Sequence, residues 1–229
     1  MINLHSVYTD TMLLSEFVIN DLTPSSTETL IGELHEVFKG LNYSHIPILN
    51  NGDYLGCLSE TDAMCFESMY KVNDLKYAIE VFYVQNSTLW LNVLKSFAEN
   101  NSNIMPVLDA ENNYLGYYRL NDIISIFNNT PFFCERGGII VVEKSNINFS
   151  FSEISQIVES NNVKIFGAFI SNTGNEFSQI TIKTGSSDLT QIILAFRRFG
   201  YNIISEHEDD ELLKTLKERS DYLNNYLKQ

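Results

Sequence analysis

A chain of 229 residues with 44% hydrophobic content can bury one large core or two small ones. Its 29 acidic against 15 basic side chains give a net charge of −14, which repels phosphate backbones and anionic lipid surfaces. That balance argues against nucleic acid and membranes as partners, while leaving room for a small anion held locally.

The opening segment, Met1 to Asp21, lacks a basic stretch followed by a long apolar run, and nowhere does the chain offer about 18 uninterrupted apolar residues. A soluble, cytoplasmic protein is the expectation. Cys57, Cys65 and Cys134 form no disulfide framework and no CxxC pair, so buried reduced thiols are expected.

Two copies of one supersecondary unit follow. The segment starting at Leu22 aligns with the segment starting at Phe82, with Leu30 against Leu89, Phe38 against Phe97 and Pro47 against Pro106, an offset of 59. One inserted turn residue raises the offset to 60, which matches Leu55-Gly56 to Leu115-Gly116 and Asp62 to Asp122. In the first copy Thr27 is the expected cap of a helix whose apolar face is Leu30, Ile31, Leu34, Val37, Phe38 and Leu41. His45 to Leu49 reads as a buried strand, Asn50 to Asp53 as a hairpin turn, Tyr54 to Leu58 as the return strand, and Ser59 as the start of another helix. In the second copy the corresponding parts are the helix face Leu89, Trp90, Val93, Leu94 and Phe97, the strand Ile104 to Leu108, and the turn Ala110 to Asn113.

Beyond Asn-Asn-Thr-Pro, which breaks the chain near 128–136, the rhythm changes. Strand Ile139–Val142, helix Phe151–Val158, strand Lys164–Ser171, strand Phe177–Lys183, helix Leu189–Phe199 capped by Asp188 and stopped by Gly200, and strand Tyr201–Glu206 are predicted in turn. The order β-α-β-β-α-β is the ferredoxin-like split arrangement. Asp209 to Gln229 reads as a charged helix with Leu212, Leu213, Leu216, Leu223 and Leu227 spaced to pack on the body or on a second subunit.

The strand containing proline, the turn, the Leu-Gly return strand and the helix-opening Asp, repeated at matching offsets, resemble a pair of cystathionine-β-synthase-type (CBS) domains over residues 10–130. Repeat one covers about 18–68 and repeat two about 76–129, followed by a linker at 131–137, an ACT-like domain at 138–207 resembling that family by order of elements, and a C-terminal helix at 208–229. The fold class is therefore α+β, and the combination is similar to bacterial proteins of the acetoin-utilisation regulator type. The resemblance implies a non-catalytic, ligand-sensing homodimer that binds an adenosine-containing ligand, AMP, ADP, ATP or S-adenosylmethionine, and transmits binding to the ACT-like domain or to a protein partner. It implies no catalytic cofactor and no metal.

Residue by residue, the resemblance places Ser59 and Asp62 against ribose and phosphate, His45 at a phosphate contact and Ile46 beside the base. Ser59 and Asp62 read equally well as a helix cap, and His45 as an ordinary half-buried imidazole. The second copy keeps Asp122 but has Arg119 where the first has Ser59, and Ile104 where the first has His45. Arg119 either reaches a phosphate in the neighbouring cleft or pairs with a local carboxylate. The loop Glu143 to Ser150 lacks the glycine that lets a backbone approach an amino-acid ligand, so dimerisation is the expected role of the ACT-like domain.

No GxSxG elbow, phosphate-binding GxxxxGK[ST] loop or HExxH pair is present, and His5, His35, His45 and His207 are scattered. His207 with Asp209, Asp210 and Glu211 could take a cation, but acids at a helix start explain the cluster better. The alternative to a sensor is a ligand-independent dimerisation scaffold. An enzyme with an unrecognised site is a remote third reading.

Overall fold

The computed structural model describes residues 14–205. The expected C-terminal helix, its acidic cluster and His5 lie outside them. Between Phe127 and Asn128 the chain divides into two compact units.

The first unit begins with a 3-10 turn, Leu14–Phe17, and continues through β1 (Ser25–Ser26), α1 (Ile31–Gly40), β2 (His45–Asn50), β3 (Asp53–Ser59) and α2 (Glu60–Met64). A second 3-10 segment, Val72–Ala78, leads to β4 (Ile79–Glu80). Then come β5 (Val84–Gln85), α3 (Trp90–Glu99), β6 (Ile104–Leu108), β7 (Tyr114–Arg119) and α4 (Leu120–Asn128). One sheet has the order β1-β2-β3-β4 and the other β5-β6-β7.

The two sheets are register-equivalent. Ser25 pairs in parallel with Ile48, and Val84 with Val107, each pair shifted by 59. Each hairpin carries a bulge, between Ile48 and Leu49 in β2 and between Val107 and Leu108 in β6. The glycine of each Leu-Gly pair, Gly56 or Gly116, lies at that irregularity. Beside the return strand of each sheet lies a segment from the start of the other repeat: β4 pairs with β3, while Ile19 bridges Tyr117 of β7. The cores interleave too. Tyr117 of repeat two is buried among Ile31, Leu34 and Phe38 of repeat one. Its counterpart Cys57 is buried among Val93, Phe97 and Ile123 of repeat two. Neither repeat could close its core alone, which makes the pair one cooperative body.

Local chemistry departs from expectation at two places. The residue at the N-cap of α1 is Leu30, not Thr27, and it makes no side-chain cap. Thr27 is buried and donates its hydroxyl to Asn50 Oδ1 at 3.4 Å, while its carbonyl accepts from Asn73 N at 2.8 Å. The thiols also differ: Cys57 is buried, with burial pushing its pKa up to about 12, but Cys65 and Cys134 are exposed. Cys65 stands at the C-cap of α2, past the apolar face that ends at Ala63, so its position offers no core to enter.

The second unit contains α5 (Pro131–Cys134), β8 (Ile139–Ser145), α6 (Phe151–Glu159), β9 (Ile165–Thr173), β10 (Phe177–Thr184), α7 (Thr190–Arg198) and β11 (Asn202–Ile203). Its sheet order, β11-β8-β10-β9, is antiparallel throughout and is the split ferredoxin-like order. Ile154, Ile157, Val158, Ile192, Ile193 and Phe196 on the two long helices cover Ile140, Val142, Ile180 and Ile182 of the sheet. Ser150 caps α6, and Asp188 accepts from Thr190 N at 3.1 Å one residue before the N-cap Leu189 of α7. The segment expected as a linker holds α5, where proline at the first turn suits a helix start and Phe132 packs on Phe169 with ring centroids 5.7 Å apart.

Candidate functional site

The return strand of each hairpin runs straight into a helix, so the last strand residue and the first helical turn form a corner. In repeat one that corner is Ser59 followed by Glu60, Thr61 and Asp62. Ser59 accepts from Asp62 N at 3.0 Å and donates to Asp62 Oδ2 at 2.8 Å. Glu60 N donates to Ser44 O at 2.8 Å, which ties the helix start to the beginning of β2. His45, directly across from Ser59 in the sheet, is brought to the same corner. Glu80 arrives on β4 by pairing with Cys57.

These residues enclose a cleft of about 390 Å³, lined by Ser44, His45, Ser59, Glu60, Thr61, Asp62, Glu80, Asn100 and Asn101. The volume lies within the range of sites that bury small ligands, about 300–1,000 Å³. The structure thus brings His45, Ser59 and Asp62 together. Ile46 is placed elsewhere: it is wholly buried in the core of the first unit, paired with Leu58 on β3, and is not among the lining residues.

His45 is almost fully buried. Its Nδ1 lies 2.8 Å from Ser44 Oγ, its Nε2 3.6 Å from Glu80 Oε1, and its ring meets Phe82 edge-on at 5.3 Å. The hydroxyl of Ser44 donates to Asn103 Oδ1 at 3.0 Å. The Glu80 carboxylate facing Nε2 favours a proton on that nitrogen. Desolvation holds the imidazole below its ordinary value of 6.5, against the pull of the Glu80 and Asp62 carboxylates.

A pH dependence follows from that direction. Between 6.5 and the lowered folded value, the unfolded chain binds a proton at His45 that the folded chain refuses, so stability rises with pH there. The contribution is complete above 6.5 and is lost as the pH falls towards the folded value. Denaturant melts from neutral to mildly acidic pH should show this decline, and His45→Gln should flatten it; an equal slope in both proteins would count against the assignment.

In repeat two the equivalent corner holds Arg119 opposite Ile104. Arg119 Nε donates to Asp122 Oδ2 at 2.7 Å, the local ion pair that was one of the two expectations. Arg119 lines a second cleft of about 380 Å³, with Asn42, Tyr43, Asn103, Leu120 and Asn121, rather than the first; Asp122 is not part of that lining. The two clefts are linked by one residue from each lining. Ser44 and its repeat-equivalent Asn103 bond reciprocally, Ser44 N to Asn103 Oδ1 at 2.8 Å and Asn103 N to Ser44 Oγ at 3.0 Å.

Glu80 and Ser44 are the residues that motif reading missed. The repeat carried no signal for Glu80, because its counterpart beside Tyr117 is the apolar Ile19. Among the described residues no cluster of three or more His, Cys, Asp or Glu side chains has a metal-holding arrangement, and no helix is long and apolar enough to cross a membrane.

No family model and no curated protein matches the chain. Among solved structures, it is similar to a CBS domain pair/ACT domain protein from Thermotoga maritima, with 17% identity and a TM-score of 0.46 over 51% of this chain and 96% of that one. It is similar to the CBS domains of a transcriptional regulator from Streptococcus pneumoniae, with 15% identity and a TM-score of 0.46 over 51% of this chain and 99% of that one. A further similarity is to CBSX2 in complex with AMP, with 14% identity and a TM-score of 0.43 over 50% of this chain and 95% of that one.

Proposed function

We propose that the chain is a non-catalytic regulatory protein whose first unit is a CBS pair. It binds an adenosine-containing ligand in the first cleft and passes binding to the second, ACT-like unit or to a protein partner. The observation that carries this reading is the convergence of Ser59, Asp62 and His45, from a strand end, a helix start and a neighbouring strand, on one cleft of about 390 Å³. A ribose diol presents two hydroxyl donors, and the Asp62 carboxylate accepts only one side-chain hydrogen bond among the described residues, from Ser59. Binding acts as a signal only when the ligand prefers one arrangement of the chain.

The test is calorimetric titration of the full chain with adenosine, AMP, ADP, ATP and S-adenosylmethionine. Micromolar binding of at least one is expected, and Asp62→Ala should weaken it about tenfold, on the scale of a lost charge-assisted hydrogen bond.

One observation favours a second reading, a ligand-independent dimerisation scaffold. The mutual bonds of Ser59 and Asp62 are complete as a helix cap without any ligand. Absence of binding by all five compounds, together with a constant dimer by sedimentation, would establish that reading.

A further inference from the structure

Resting on the proposal that the first cleft holds an adenosine moiety, we infer that it selects a neutral or cationic adenosine derivative and rejects phosphorylated ones. The charges and donors that line the cleft set this preference. Glu60, Asp62 and Glu80 bring three carboxylates to the lining, and no Lys or Arg is among the lining residues.

Several of the donors that could have met a phosphate are engaged. Of the amides at the start of α2, Glu60 N donates to Ser44 O and Asp62 N to Ser59 Oγ. The hydroxyl of Ser59 donates to Asp62, and the side-chain amide of Asn100 donates to Ser96 O at 2.7 Å. A phosphate has acceptor oxygens and negative charge, and meets both in kind here. Ribose hydroxyls, an exocyclic amine or a ligand cation supply donors or positive charge to a lining rich in carboxylates. The second cleft differs in sign, with Arg119 at the position equivalent to Ser59.

One like charge roughly 10 Å away, at an effective dielectric of about 20, costs a ligand about tenfold in affinity. Titration of the full chain at neutral pH in magnesium-free buffer, with adenosine, S-adenosylmethionine, AMP and ATP, reads this directly. Adenosine and S-adenosylmethionine should bind at least about tenfold tighter than AMP, with ATP weakest. The double variant Glu60→Gln/Glu80→Gln should shrink the adenosine-to-AMP ratio at least about fivefold, with thermal melts confirming that it is folded.

Equal binding of adenosine and AMP, or a ratio unmoved by the double variant, would overturn the charge selection while leaving the adenosine site standing. Binding of none of the four would remove the site itself, and the selection with it.

Discussion

Gly56→Ala and Gly116→Ala are each expected to cost the first unit about 3 kcal/mol or more, the largest effects that single methyl groups should have on it. Both glycines have positive φ, +147° and +145°. A Cβ on Gly56 would lie 2.5 Å from the carbonyl oxygen of Glu80, and one on Gly116 2.3 Å from that of Ile19. Neither oxygen can yield cheaply, because each belongs to the outer strand exchanged between repeats. Backbone strain of about 1–3 kcal/mol therefore adds to the displacement of a sheet edge. Gly40→Ala is the control, since a Cβ there meets nothing within 4 Å. Denaturant melts should show both variants losing stability while the control holds or gains slightly; losses below about 1 kcal/mol would mean that the outer strands yield.

The prediction also bears on the cleft. Moving β4 moves Glu80, so Gly56→Ala should disturb ligand preference more than Gly116→Ala, which acts on the opposite sheet.

The same glycines show why the repeat could be read from sequence. A Leu-Gly pair followed by a helix-opening Asp, present twice, records a bulge that accepts no side chain and a strand-to-helix corner that needs a cap. Asn51 and Gly52, both at positive φ, likewise announced the first hairpin. In the second unit the alternation of strand and helix patterns was strong enough to give the order of elements, and the short connection between β9 and β10 gives their pairing, while the neighbours β8–β10 and β11–β8 are non-sequential.

What stayed hidden was long-range. The outer strands β1, β4 and β5 are two residues each, too short to carry a period, and they exist because another strand pairs with them. Glu80 reaches the cleft only through that pairing, so its role could not be read from its neighbours. Ile46 lies in the core for a simpler reason: adjacent strand residues face opposite sides, so if His45 faces the cleft Ile46 must face the core. Thr27 misled because a hydroxyl near a helix start has other uses, and here it bonds the hairpin end at Asn50.

Asn103→Ala should carry the second large loss, about 2–3 kcal/mol, and should weaken both clefts at once. Asn103 Oδ1 accepts from Ser44 N at 2.8 Å and Ser44 Oγ at 3.0 Å, while Nδ2 donates to Asn42 O at 2.8 Å. Removing the amide deletes three bonds and leaves the partly buried Ser44 N–H without its acceptor, a cost beyond the bonds themselves. Ser44 in turn orients His45 through its hydroxyl and, through its carbonyl, anchors Glu60 N. Ligand affinity in the first cleft should therefore fall although Asn103 lines only the second. Asn121→Ala, an exposed change in that second cleft, should leave stability within about 0.5 kcal/mol and the first cleft untouched. If Asn103→Ala instead lowers stability but leaves first-cleft affinity intact, Ser44 holds its place through β2 alone, and the two clefts are built independently rather than braced against each other through the Ser44–Asn103 bonds.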